Sequence, residues 1–222
     1  MRSTVWLMIV FVASGVGGDA PRVLADTGSA ATPPSARQSS DTRTAPPPDL
    51  RAFPTAPAPG ELATVLLPET ESAVSALIQR LPPAVAGHQR LVAVPPANAG
   101  AVVVGYGEDR RIADSPNPLL RLLVIDMRNG DFFPTNWTGG QVVGFIAQAK
   151  TAMDAGRDGD LFWLRDESAV SVPGSTGQVV TYGITWGRID SPWLFVVQGD
   201  TSESRDALLM AVVAAARSAS GR

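Results

Sequence analysis

Cysteine is absent from this chain of 222 residues, and its absence excludes several kinds of chemistry together. A protein without thiols forms no disulfide, uses no cysteine nucleophile and binds no metal through thiolates. Attachment of a lipid through an N-terminal cysteine is excluded as well. The folded part is therefore expected to be stable through its apolar core alone, which a domain of this size can supply without disulfides.

Histidine and long apolar runs are also scarce, and the chain carries no net positive charge. Histidine occurs once, at His88, and the net charge is -3, so the chain has no basic field that would attract nucleic acid or an anionic membrane surface. The apolar run from Val5 to Gly18 spans 14 residues, whereas a helix that crosses a bilayer needs roughly 20. We therefore expect no nucleic-acid partner, and a membrane contact only through this N-terminal segment if it is not removed.

The N-terminal quarter of the chain has the pattern of an export signal followed by a spacer. Arg2 precedes the apolar run, and Val23-Leu24-Ala25 offers small residues at the cleavage positions. Residues 26–60 are rich in Ala, Pro, Ser and Thr, a composition that cannot bury enough apolar surface to fold. The sequence thus predicts a signal peptide over 1–25, a disordered spacer over 26–60 and one globular domain over 61–222. The protein is expected to be secreted or extracytoplasmic, with an uncleaved N-terminal anchor as the alternative.

Three helices follow from the periodicity of the domain. The first is predicted to begin near Pro68. The second opens at Thr138 with Gln141 three residues later, the pattern of a capping box, and is predicted to close at Gly156. The third follows Ser202. The apolar stripes of the three helices are, in order, Val74, Leu77, Ile78 and Leu81; Val142, Ile146, Ala149 and Met153; and Leu209, Val212, Val213 and Ala216.

Strands are predicted where bulky and small residues alternate, as they do over residues 179–187. The stretch VVVGYGEDRRIADSP, which ends at Pro116, shares its VV-x-YG and DSP elements with QVVTYGITWGRIDSP, which ends at Pro192. Each DSP is typical of a turn between antiparallel strands. We interpret the two stretches as matching hairpins of one sheet, related either by duplication or by shared turn chemistry. Further strands are predicted at 161–165 and 168–172.

These elements predict an α+β fold: a mostly antiparallel sheet with three amphipathic helices, in the order α, β-strands, α, β-strands, α. With the exported Pro-rich leader and the final strand PWLFVV that runs into the helix SESRDALLMAVVAAA, this order resembles the PsbP and Mog1-like sandwiches, including mycobacterial LpqN-type secreted proteins. The resemblance concerns topology over residues 67–218, and the lipid-attachment cysteine of many such proteins is missing. It implies a protein-binding or accessory role and assigns no site residue.

The residues singled out for ligand binding lie in two places. The first is the small face of the strand over 179–187, where glycine lets another group approach the sheet closely; its residues are Thr181, Gly183 and Thr185. The second is the loop GDFFPTNW, with the rings of Phe132, Phe133 and Trp137. Each place has a structural alternative, namely a helix that packs on the small face and rings that plug the end of the sheet.

The sequence offers little for catalysis or for a metal. His88 lies in a turn with no acid or nucleophile beside it, and Ser175 lacks the spacing and context of a nucleophile elbow. Asp154, Asp158 and Asp160 cluster without the pattern of a calcium loop. We therefore predict no catalytic residue, no metal and no cofactor.

The favoured hypothesis is a non-enzymatic exported domain that binds a protein or a cell-envelope ligand. The alternative is a secreted hydrolase that uses His88 with a distant Ser and Asp. That alternative requires His88 to lie within hydrogen-bonding distance of a carboxylate and a hydroxyl.

Overall fold

The computed structural model describes residues 46–63, 70–91, 100–107, 120–129, 133–149, 154–171 and 178–219. Several predictions lie outside these residues: the export signal over 1–25, the spacer over 26–45, the first DSP turn at 114–116, Phe132 and Ser175.

The described residues contain four α-helices and eight strands. The helices are α1 (Gly60–Ala63), α2 (Glu71–Arg80), α3 (Gly139–Ala149) and α4 (Ser202–Ala219), with 3-10 turns at Leu50–Ala52 and Met127–Asn129. The strands are β1 (Ala84–Val85), β2 (His88–Arg90), β3 (Ala101–Gly107), β4 (Leu120–Asp126), β5 (Asp154–Asp158), β6 (Leu161–Ser171), β7 (Gln178–Arg188) and β8 (Trp193–Gly199).

The eight strands form one antiparallel sheet in the order β1-β2-β3-β4-β8-β7-β6-β5, which confirms the predicted α+β class with a mostly antiparallel sheet. Helices cover both faces of the sheet. An apolar cluster joins α1, α2 and α4 to one face, here called the α4 face. A second cluster joins α3 to the opposite face, here called the α3 face. The sheet is therefore the middle layer of three.

The α4 face holds the larger part of the core. Trp163 and Trp186 lie opposite each other on β6 and β7, and both are buried there. Trp186 also stacks on Phe195, with 5.4 Å between ring centroids. The predicted stripe of the last helix is buried against this face: Leu209, Val212, Val213 and Ala216. Burial of these large apolar side chains is the main source of stability for this layer.

The ends of the helices follow from local hydrogen bonds. Ahead of α3, the backbone N–H of Thr138 donates to Gln141 Oε1 at 2.7 Å and the N–H of Gln141 donates to Thr138 Oγ1 at 3.4 Å, so the predicted capping box is formed. Helix α2 begins at Glu71 rather than near Pro68, because Thr70 Oγ1 accepts a hydrogen bond from the N–H of Ala73 and caps the helix.

The prediction that Gly156 closes the second helix is wrong. Within the described residues α3 ends at Ala149, and Gly156 lies in the middle of β5. A Cβ atom on Gly156 would come within 2.6 Å of the Cβ of Ala56. The glycine therefore permits close packing at the sheet edge and is not a left-handed helix terminus.

The two look-alike stretches share one sheet but differ in strand register. Tyr106 lies opposite Leu120 in the β3–β4 pair, and Tyr182 lies opposite Gly199 in the β7–β8 pair. If the sequence match extended to register, Tyr182 would lie opposite Val196, which instead pairs with Thr185. The likeness therefore concerns residue types, and a common origin of the hairpins stays a prediction. The second DSP forms the predicted β7–β8 turn.

Candidate functional site

The α3 face of the sheet divides into an apolar half and a polar half. Residues directly opposite each other on paired strands point to the same face, so the pairings define rows across the sheet. Two rows form the apolar half: Ala101, Ile125, Leu194, Gly187 and Phe162; then Val103, Leu123, Val196, Thr185 and Leu164. Two rows form the polar half: Gly105, Arg121, Gln198, Gly183 and Asp166; then Thr181 and Ser168.

Helix α3 covers the apolar half. A Cβ atom on Gly187 would lie 2.6 Å from the carbonyl carbon of Gly139, so the first turn of the helix touches the backbone of β7. Phe162 and Leu164 are buried in the same cluster as the helix residues Val142 and Ile146. At this end of the face, helix packing therefore accounts for the glycine.

The polar half is organised around Arg121 and Asp166, which lie in one row and are separated by Gln198 and Gly183. Arg121 Nε donates a hydrogen bond to Gln198 Oε1 at 2.6 Å. The carboxylate of Asp166 lies over Gly183, in the space that a side chain at 183 would fill. Ser168 Oγ donates to Asp166 Oδ2 at 2.8 Å. The row thus presents a guanidinium, an amide and a carboxylate within one plane of the sheet.

The charge of Arg121 is held in a poorly solvated position. Burial lowers the pKa of Arg121 to about 10, so the guanidinium is still protonated at neutral pH. A charge removed from water costs free energy that neighbouring dipoles only partly return. Groups kept charged in such surroundings are concentrated at binding and catalytic sites. This half of the face is therefore the candidate functional site.

The site is suited to binding a ligand through polar contacts. A guanidinium offers planar donors that match a carboxylate. The backbones of Arg121 and Asp166 are three strand spacings apart, roughly 14 Å at the usual spacing of about 4.8 Å. A ligand that spans the row can thus place an acidic group near Arg121 and a hydrogen-bond donor near Asp166.

The predicted site residues are distributed over both halves. Gly183 and Thr181 lie in the polar half, where Thr181 Oγ1 donates to the carbonyl oxygen of Ser168 at 3.2 Å. Thr185 is buried in the apolar half. Gly187, against α3, is four residues from Gly183, or roughly 13 Å along an extended strand.

The aromatic loop does not line the polar half in the described residues. Trp137 is 8% exposed and belongs to the cluster under α3, where its ring meets Phe145 edge to face at 5.2 Å. Phe133 is partly buried and packs against the same cluster. These two rings therefore plug the apolar half, and Phe132 lies outside the described residues.

His88 is the first residue of β2, after a turn formed by Ala86 and Gly87 with positive φ angles of 50° and 82°. Its position in a strand differs from the predicted turn, because the tight turn ends one residue earlier. The buried Nδ1 atom of His88 has no hydrogen-bond partner among the described residues. The described part of the chain thus provides no carboxylate and hydroxyl pair for a hydrolase at His88.

The acidic cluster at 154–160 is divided among separate partners. Asp154 lies 3.9 Å from Arg165, and Asp160 forms an ion pair with Arg188 at 2.5 Å. Asp158 accepts a hydrogen bond from the N–H of Ala58 at 3.4 Å. Among the residues that the structure describes, no group of three or more potential metal ligands occurs.

Comparison of the chain with protein-family models, with curated proteins and with solved structures yields no match. The class of protein is therefore defined by the fold alone, as a mixed α+β domain built on one antiparallel sheet. None of the helices in the described ranges combines the length and the apolar character needed to cross a membrane.

Sequence reasoning missed Arg121, Gln198 and Asp166 as members of one site. One local signal was available in the sequence. Arg121 interrupts the apolar run over 119–125, and charged side chains are rare in buried strands. Gln198 and Asp166 give no comparable signal, because only the strand order brings them into the row of Arg121.

Proposed function

We propose that this chain is an exported, non-enzymatic binding domain that acts at the cell envelope or outside the cell. Its polar half contacts a protein or envelope ligand that carries a carboxylate. The observation that carries this proposal is the row that brings Arg121, Gln198 and Asp166 onto one face of the sheet.

The geometry favours binding over a structural role for this row. In the apolar half, large side chains pack beneath a helix, and their burial stabilises the fold. Arg121 in the third row instead retains a charge that is partly removed from water. A guanidinium on a sheet face can form strong, bidentate hydrogen bonds with a carboxylate, which is the ligand group proposed for this row.

The proposed localisation of the domain rests on the N-terminal sequence. An apolar run of the length of an export signal precedes a Pro-rich stretch. We propose that the signal peptide is cleaved and that the domain keeps the Pro-rich spacer at its N-terminus. The resemblance to LpqN-type secreted proteins supports the same role. Retention of the apolar run as an anchor is the alternative, and fractionation of cells into membrane and medium distinguishes the two.

A pair of adjacent residues provides the test. Thr181 lies in the polar half, and Val180 lies on the opposite face with 39% of its surface exposed. A photo-crosslinking amino acid placed at either position, in the full chain expressed in its own cells, samples the two faces of one strand. We expect adducts from position 181 that disappear when Arg121→Met is added and when excess tetraglutamate is present, but not with excess tetraglutamine.

Position 180 is the control, since it lies on the same strand and is more exposed than position 181, but it points to the opposite face. Equal adducts from both positions, or adducts from position 181 that survive Arg121→Met, would contradict the proposal.

A further inference from the structure

Residues 49–62, here called the strap, wrap around the edge of the sheet at β5. Leu50 and Phe53 pack into the cluster of the α3 face. Ala56, Ala58 and Leu62 pack into the cluster of the α4 face. The spacer expected over 26–60 therefore does not extend to Gly60, because its last part belongs to the folded body and connects both outer layers.

The strap adds one parallel β-bridge to the edge of β5. The N–H of Ala56 donates to the carbonyl oxygen of Arg157, and the N–H of Arg157 donates to that of Pro54, each at 3.0 Å. Thr55 is the residue that bridges Arg157 in parallel. An uncovered edge strand offers its backbone groups to other chains, and the strap occupies those of Arg157.

The surface beneath the strap is shaped to its side chains. A methyl group of Leu50 occupies the space that a Cβ atom on Gly144 would fill. The ring of Phe53 lies 5.4 Å from the ring of Phe162, and Phe53 is 3% exposed. Ala56 fits over Gly156 in the same way. Two glycines and one aromatic ring thus form a groove for residues 50–56 of the strap.

Polar contacts fix the direction of the peptide in this groove. Gln148 Nε2 donates to the carbonyl oxygen of Asp49 at 3.2 Å, at one end. Arg157 Nε donates to Thr55 Oγ1 at 3.3 Å, near the middle. Asp158 accepts from the N–H of Ala58 at the other end. Contacts of backbone and anchor side chains together are the usual means by which a sheet edge recognises an added strand.

We propose that this groove is a peptide-binding site for the strap, and that a second copy of the chain can fill it with its own strap. Every copy carries the matching sequence, so the partner is present wherever the protein is. The strap of the same chain competes with the strap of a second copy for the groove, and its tether gives it a high effective concentration. The two copies therefore exchange straps when the attached strap binds more weakly or when the protein is concentrated.

The test uses the full chain with Phe53→Ala, which removes the main anchor, and Arg51→Ala as the matched control, since Arg51 is exposed in the same 3-10 turn. A fluorescent peptide of residues 46–62 is titrated against each variant by anisotropy, with a scrambled peptide alongside. We expect binding to Phe53→Ala that is at least tenfold tighter than to Arg51→Ala or wild type, and none of the scrambled peptide.

Hydrogen exchange at the amides of Ala56 and Arg157 supplies a second readout. In Phe53→Ala these amides are expected to lose protection and to regain it when the peptide is added. Should the variant fail to fold, Leu50→Ala, which removes a less buried anchor, takes its place. Release of the strap without binding of the peptide, or unchanged protection in the anchor variant, would overturn the proposal.

Discussion

The two halves of the α3 face share the same strands and differ in what covers them. In the apolar half, glycine at 187 admits the backbone of α3, beside Phe162 and Leu194 in the same row and Leu164 in the next. In the polar half, glycine at 183 admits only the carboxylate of Asp166. One sheet therefore carries helix packing at one end and a row of polar side chains at the other, and substitutions at matched positions test whether the two halves differ in role.

The largest difference is expected from Phe162→Ala and Ser168→Ala, which lie on the same strand and the same face. Removal of a buried Phe side chain costs about 3–5 kcal/mol in free energy of unfolding. Ser168→Ala removes one hydrogen bond to Asp166, worth about 1 kcal/mol. Urea unfolding of the two variants measures both values, and comparable losses would show that the polar half also carries core packing.

A smaller difference in stability is expected between the variants Gly187→Ala and Gly183→Ala. Gly187→Ala places a methyl group 2.6 Å from the backbone of Gly139, so α3 must move, at a cost of about 1–3 kcal/mol. Gly183→Ala meets only the side chain of Asp166, which can rotate, and is expected to cost less than about 1 kcal/mol. Thermal unfolding of each variant provides the measurement, and a reversed order would refute the division of the face.

Arg121→Met is expected to change the free energy of unfolding by less than about 1 kcal/mol in either direction. The substitution removes a desolvated charge while it keeps an unbranched side chain of similar length. Binding at the polar half should be lost even though the fold is kept. Chemical denaturation and the crosslinking yield at position 181 are compared on the same preparation, and a large loss of stability would mark Arg121 as structural.

The smallest change in the free energy of unfolding is expected from Asp126→Asn, at the last residue of β4. Burial alone would raise the pKa of Asp126, but the hydrogen bonds and charge of Arg128 hold it below the usual value. A lowered folded pKa stabilises the protein above the unfolded pKa, and the contribution is lost as the pH falls through the folded pKa. Asp126→Asn should therefore cost roughly 0.2–1 kcal/mol at pH 7.

The same variant should approach wild type as the pH falls through the folded pKa of Asp126, which lies below the usual aspartate value of about 3.9, because the carboxyl group is then protonated in both states. Unfolding measured at pH 7 and near pH 2.5 makes the comparison. A penalty that persists at the lower pH would show that the amide disturbs packing rather than an ion pair.

Features that depend on neighbouring residues were predictable from the sequence. The capping box of Thr138 and Gln141 and the buried stripe of α4 need only a few consecutive positions, and both are present as predicted. The large apolar side chains of Trp163 and Trp186 favour the core, and both are buried there.

Features that depend on strand order or distant contacts were not predictable. The polar row exists because β4, β8, β7 and β6 are neighbours, whereas Arg121, Gln198 and Asp166 are far apart in sequence. Gly156 reads as a helix terminus until Ala56 is known to lie beside it. The strap has the composition of a disordered segment, and a few anchors such as Phe53 overcome that composition because a matching groove exists.

The strap also determines how mechanical load enters the domain. A pull from the N-terminal side reaches Asp49 and Phe53 at the sheet edge, on the side away from β1 and β2. The first contacts under tension are the anchors in the groove and two backbone hydrogen bonds of Arg157, while Arg121 lies four strands inward. A tethered copy can therefore yield at its edge while the rest of the sheet stays intact.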